Sequence, residues 1–243
     1  MPNRKETGSL GLMARAAGAF WLVTVASGLF AEVFARGTLI VTDNPNATAQ
    51  NILGSETLFR LGLVADLVGV VAMAAATVIL YGIFRPAGRV RAVGQLCFGF
   101  GGCIILAASL SILSMPLTLI GRLAPLGGMS GPSLNLLALG ALKTYSIAYN
   151  VSLAFFAIQV GLIGLLILSS KLFPKAFGLL FLIEAVCNSV YAYSVLLAPN
   201  VAAQLYPVIL LPGLPAEAGF AAWLLIMGMT RARSVPADPL AEQ

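Results

Sequence analysis

The chain has 243 residues, 59% of them hydrophobic and 9% charged, with a net charge of +5 and no histidine. A soluble domain carries about 25% charged residues, so this composition, with a mean hydropathy of +0.96, excludes a water-exposed globule and makes lipid the solvent for most of the surface. Without histidine there is no Ser-His-Asp triad, no HExxH zinc site and no His-ligated haem, and an enzyme would have to work with carboxylates, Lys, Tyr, Ser or Cys.

The basic residues stand in short loops between apolar runs, which argues against a nucleic-acid surface. Cys97, Cys103 and Cys187 all fall inside apolar runs and read as small packing residues rather than a disulfide or metal site. No cofactor motif, phosphate loop or nucleophile motif occurs, so no cofactor and no metal are expected.

A helix needs about 20 mostly apolar residues to cross the hydrocarbon. Six segments qualify: 14–36, 55–84, 92–118, 139–169, 176–198 and 204–230. The fold expected is all-α, a polytopic membrane bundle of six transmembrane helices forming one domain over residues 1–243, with the lipid bilayer as its main partner. The first segment has a signal-like Val33-Phe34-Ala35, but it is longer than the usual apolar core of a signal peptide and reads as an uncleaved span.

Ten of the fourteen basic residues fall on one side of this arrangement: Arg4, Lys5 and Arg15, then Arg85, Arg89 and Arg91, then Lys171 and Lys175, then Arg231 and Arg233. Arg36, Arg60, Arg122 and Lys143 fall on the other. By the positive-inside rule both termini are cytoplasmic. The external loops are 37–54, polar with an Asn-Pro turn signal, and 119–138, rich in Gly and Pro and expected to be a flexible linker or lid. Asn46-Ala47-Thr48 matches a glycosylation sequon by chance composition.

Polar residues inside the spans raise the functional question. Span one carries Thr24, Gly28, Glu32 and Arg36. In span two Glu56 and Arg60 share a face at the outer boundary and read as an interfacial pair. Asp66 lies deeper, where a charge costs about 2.5–3.5 kcal/mol on insertion scales, and Gly62 and Gly69 on its face mark close helix packing. Asp66 is therefore expected inside the bundle, bonded to a Lys, Tyr, Asn or Glu.

Span four offers Lys143, Ser146 and Asn150 in one stripe, and span five Glu184, Asn188 and Tyr191. In span six Glu217 stands beside Pro212 and Pro215, which are expected to kink or break the helix at mid-membrane. Every span but the third offers such groups. They suggest an intramembrane polar site of Asp66, Glu217, Glu184, Asn188, Tyr191 and Asn150, below an outer vestibule of Glu32, Arg36, Glu56, Arg60 and Lys143.

The stretches GLFAEVFARGTLIV, NATAQNILGSETLFRLGLVADLV, LFPKAFGLL and PAEAGFAAWLL resemble the DUF4386 family of bacterial multi-pass membrane proteins. The resemblance covers nearly the whole chain. It implies a six-span inner-membrane protein with Glu32, Arg60, Asp66 and Glu217 at pattern positions, and it implies no activity.

Three function classes follow: a transporter or channel for a small solute or ion, a sensor or accessory subunit that binds a protein partner or lipid, and an intramembrane enzyme using Asp66 and Glu217. The first fits deep polar groups on several spans, and the enzyme fits least. The topology predicts that cysteine introduced at Asn46 or Ser130 is labelled from outside intact cells, while cysteine at Arg89 or Lys175 is protected. The reverse pattern inverts the bundle.

Overall fold

The computed structural model describes residues 4–123, 128–170 and 173–233. Lys171 and residues 124–127 lie outside the described residues. Helices account for nearly everything described, and no strand occurs among the described residues. In chain order they are α1 (Arg4–Leu29), α2 (Pro45–Gly54), α3 (Glu56–Phe84), α4 (Arg89–Pro116), α5 (Gly131–Ser169), α6 (Lys175–Leu197), α7 (Pro199–Leu205) and α8 (Gly213–Arg233). A π-helical segment, Phe30–Arg36, and one further turn, Gly37–Leu39, continue α1.

Six helices are long and apolar enough to cross a membrane: Ser9–Leu39, Glu56–Ala87, Arg89–Gly121, Gly131–Ser169, Lys175–Leu197 and Val208–Ile226. Their exposed residues are largely Leu, Val and Ile, the side chains that suit a lipid-facing surface. With an even number of spans, the N-terminus, the Arg85–Ala87 turn and the start of α6 share one end, called here the basic end. Helices α2 and α7 cap the far end.

The spans pack in sequence order around a ring: α1 on α3, α3 on α4, α4 on α5, α5 on α6, and α6 and α1 both on α8, which closes it. Small residues permit the tightest of these approaches. A Cβ on Gly18 would lie 2.8 Å from the Ala221 carbonyl oxygen and 2.9 Å from Leu224 Cβ, so α1 meets α8 backbone to backbone. Gly164 and Gly178 do the same for α5 and α6.

The main core fills the basic half of the ring, where Trp21, Phe181 and Phe220 meet edge to face and Phe173 bridges Phe84 and Phe220. A second core, at the far end, joins Leu39, Ile52, Phe59, Leu113, Leu139 and Tyr145.

Three boundaries differ from expectation, and in each a proline opens a helix. The 37–54 loop contains α2: Asn44 accepts the Ala47 N–H at 3.0 Å, and Pro45 follows it in the first turn. Thr48 is buried in α2 and its hydroxyl bonds the Val41 backbone on both sides, so this loop is an ordered cap on α5. Most of the second half of the 119–138 loop is helix as well, because α5 begins at Gly131 with Pro132 in its first turn.

The sixth span is not one helix over 204–230: of the kink or break expected at Pro212 and Pro215, it has a break, before Gly213. It is a 3-10 turn, Val208–Leu210, followed by α8 from Gly213, with Pro215 in the first turn, where its missing N–H removes no helical bond.

Gly18→Val should strain the α1–α8 contact by about 1–3 kcal/mol and lower the melting temperature of the purified protein. Gly28→Val, whose Cβ would meet nothing within 4 Å, should melt like wild type.

Candidate functional site

The deepest charge on α3 is held by α1. Arg36 donates through Nη1 to Asp66 Oδ2 and through Nη2 to Asp66 Oδ1 at 3.2 Å, a two-pronged pair whose side chains are 11% and 10% exposed. Its Nε donates to Glu32 Oε2 at 2.8 Å. One guanidinium thus bonds two carboxylates, and its Cζ lies 5.5 Å from the centre of the Tyr145 ring on α5.

Backbone geometry makes this possible. α3 comes against α1 at Gly62 and Gly69, where a Cβ would lie 2.7 Å from Ala35 Cβ and 2.6 Å from Ser27 Oγ respectively. These two glycines flank Asp66. The π-helical turn that carries Glu32 and Arg36 is closed by the Gly37 N–H bonding the Glu32 carbonyl. Wide turns of this kind redirect side chains and recur at functional sites.

The expected partner of Asp66 is thereby corrected. It is none of Lys, Tyr, Asn or Glu but Arg36, which the sequence reading placed in a separate vestibule.

Glu32 also reaches the segment before the last span. Tyr206 donates its hydroxyl to Glu32 Oε1 at 3.0 Å and stacks on Tyr191 of α6 at 5.9 Å between ring centres. Burial, with the Glu32 carboxylate beside it, pushes the Tyr206 phenol up to about 12, so it stays a donor through the physiological range. The far-end strap formed by α7 and Tyr206 is in this way tied to both α1 and α6.

A second carboxyl site lies on α6 and α8. Glu184 is 2% exposed. Its Oε1 accepts from Asn188 Nδ2 at 3.3 Å, and its carboxyl group comes within hydrogen-bond reach of Glu217. Glu184 Oε2 receives no amide, hydroxyl or amine donor. Two carboxyl groups can bond each other only when one carries a proton, since ionised carboxylates are acceptors alone.

Gly213 makes room for this pair: a Cβ there would sit 3.4 Å from the Glu184 carboxyl. The break before α8 thus brings the first turn of that helix against Glu184. Tyr149 of α5 lies between the two sites, in electrostatic reach of Glu32, Arg36 and Asp66 on one side and of Glu217 on the other.

The other expected residues stand apart. Glu56 and Arg60 pair with each other at 2.6 Å, both about half exposed, and do not join Asp66. Lys143 points to Asp43, 2.9 Å away at the far-end surface. The five vestibule residues therefore fall into three separate clusters. Asn150 is buried but donates to Ser146 O of its own helix at 2.8 Å, and its Oδ1 has no donor.

Two shallow surface grooves lie over Leu53–Leu61 and along Leu179–Cys187, and Asp66, Glu184 and Glu217 line neither. No three acidic or cysteine side chains gather to hold a metal among the described residues.

Sequence reasoning missed Tyr145 and Tyr149, whose i, i+4 spacing places them on one face of α5, and Tyr206. It also judged the third span free of inward polar groups. Gln95 of α4 is fully buried and donates to the Thr77 carbonyl of α3 at 3.3 Å, and Gln159 of α5 donates to the Thr77 hydroxyl at 2.8 Å.

Replacing Tyr206 by Phe keeps the ring on Tyr191 and removes the bond to Glu32. The strap should loosen by about 0.5–1.5 kcal/mol, and amide hydrogen exchange in α7 should accelerate while exchange in α2 is unchanged.

Comparison with curated proteins and with solved structures finds no match to the chain. The profile of one family, described as a domain of unknown function, DUF4386, matches residues 16–228, from the middle of α1 to the last turns of α8. This match covers all six spans and both carboxyl sites, and the chain belongs to the DUF4386 family.

Proposed function

We propose that this protein moves a small polar solute or ion across a bacterial inner membrane, with both termini in the cytoplasm, and that the structure is its closed state. The observation that carries this reading is the meeting of ionisable side chains from five of the six spans inside one ring. Arg36, Asp66, Tyr145 and Tyr149, Glu184 and Glu217 form a tract, with the half-exposed Glu32 at its edge under the Tyr206 strap. Ionisable groups within spans are costly and tend to mark ion and substrate pathways.

The two sites take different roles. Arg36 is saturated by carboxylates and holds α1 to α3. Among the described residues no cation pairs with Glu184 or Glu217, so the pair is the part whose occupant can exchange: a proton shared between two oxygens can leave when a cation or a donor group arrives. The interruption at 208–212 places that exchange beside a helix start, as discontinuous helices do in secondary transporters.

A specific observation favours a second reading, a sensor or accessory subunit for a protein partner or lipid. Shallow grooves lie on the surface, at Leu53–Leu61 and Leu179–Cys187, and the Arg36 node is paired within the chain. Reconstituted vesicles with a trapped pH dye separate the two readings. Under imposed sodium or potassium gradients the wild-type protein should speed proton movement over protein-free vesicles, and Glu217→Gln should abolish that gain at unchanged melting temperature. A mutant with unchanged flux and unchanged stability favours the accessory role.

A further inference from the structure

Thr77, Gln95 and Gln159 form a polar site that neither the family match nor the transport reading uses. They come from α3, α4 and α5, and each is fully buried. Both carboxamides aim their nitrogen at Thr77, one at its carbonyl and one at its hydroxyl. Both carboxamide oxygens, Gln95 Oε1 and Gln159 Oε1, are buried without a donor.

The approach that creates the site is made at Gly99 of α4, where a Cβ would lie 2.4 Å from Gln159 Nε2 and 2.8 Å from Thr77 Cγ2. Only a residue with no side chain lets α4 come this close to the Gln159 amide and the Thr77 methyl at once. Counting from Arg85, Arg89 and Ser169, and at 1.5 Å per residue, the site lies about 9–15 Å from the basic end.

Two orphaned carbonyl oxygens in an apolar surround are costly, because each loses the donor that water supplied. Reversing the Gln159 amide does not cure this: its oxygen would then meet the Thr77 hydroxyl and its nitrogen would be the orphan. Both oxygens need donors, and no protein donor reaches either one. The site holds no ionised group to balance a cation, so the occupant should be neutral, small and a donor. Water meets all three requirements. It has two hydrogens to give, and its oxygen can accept from the second hydrogen that each carboxamide nitrogen carries. Buried waters of this kind make about three bonds to polar groups otherwise left unpaired.

We infer that Thr77, Gln95 and Gln159 enclose an internal water site in the basic half of the bundle, with water donating to the two glutamine oxygens. The site is independent of whether the protein transports anything.

The test uses the full chain in lipid nanodiscs. A density map fine enough to show ordered solvent should place water at about 2.6–3.2 Å from Gln95 Oε1 and from Gln159 Oε1. An empty site overturns the inference, as does a sphere at the shorter distances of a metal ion, about 2.3–2.6 Å for calcium.

Stability gives a second readout whose sign decides. Q95L removes one long bond to a carbonyl that retains its own helix amide. If the oxygen is unpartnered, its removal should leave the melting temperature equal or raise it. If water is bound there, Q95L breaks that water's bonds and should lower the melting temperature by about 4 °C. A Q95L protein that melts at or above wild type overturns the inference. If Q95L yields no folded protein, the wild-type map decides alone.

Discussion

Asp66 carries a charge that the membrane interior does not accept alone, and the arrangement around it follows from the need to neutralise that charge. Its side chain is too short to reach headgroups from ten residues inside α3. Arg36 answers from α1, and to do so the two helices must approach closely at Gly62 and Gly69. Arg36 is itself shared with Glu32, and Glu32 with Tyr206. A short chain of contacts thus runs from the interior of α3 to the strap at the far end. Removing Arg36 leaves the Asp66 carboxylate uncompensated, at about 3–5 kcal/mol, so the node constrains how the first two spans can pack.

The ring topology explains why the polar groups face one another. Each span packs mainly on its sequence neighbours, and α8 closes on α1 and α6. Side chains that point away from lipid then converge across the ring: Arg36 over Tyr145, Gln159 onto Thr77, Glu184 toward Glu217. The aromatic core around Trp21 and Phe220 fills the basic half of the ring and is apolar. The Arg36 node gathers toward the far end, beneath α7 and Tyr206, and Glu184 lies near the middle of α6.

Much of this was legible in the amino-acid order. Six apolar runs of about 20 residues admit few alternatives in lipid, and the inward placement of Asp66 follows from its depth and its flanking glycines. What escaped notice has three physical causes. Prolines were read as breakers, yet Pro45, Pro132 and Pro215 each sit in the first turn of a helix, where no N–H bond is lost. The Arg36–Asp66 pair joins residues thirty positions apart through a π-helical turn, and a count based on 3.6 residues per turn does not follow such a turn. Gln95 is a lone polar residue in a Gly-rich apolar span, and nothing in its neighbours announces that Thr77 and Gln159 meet it from two other helices. The Glu184–Glu217 contact likewise depends on where α8 starts, a boundary that Pro212 and Pro215 marked as a kink or break without fixing its place.

The claim that one ion pair organises the first two spans is tested most directly by a double-mutant cycle on Arg36 and Asp66, read as thermal stability of the purified protein. Arg36→Met leaves the Asp66 carboxylate without its cation and should destabilise by about 3–5 kcal/mol, whereas Asp66→Leu leaves Arg36 on Glu32 and should cost less. The double variant removes both charges and should recover most of that loss, giving a coupling energy well above about 1 kcal/mol. Two losses that simply add would contradict the account, because they would mean that Arg36 and Asp66 stabilise the bundle independently of each other.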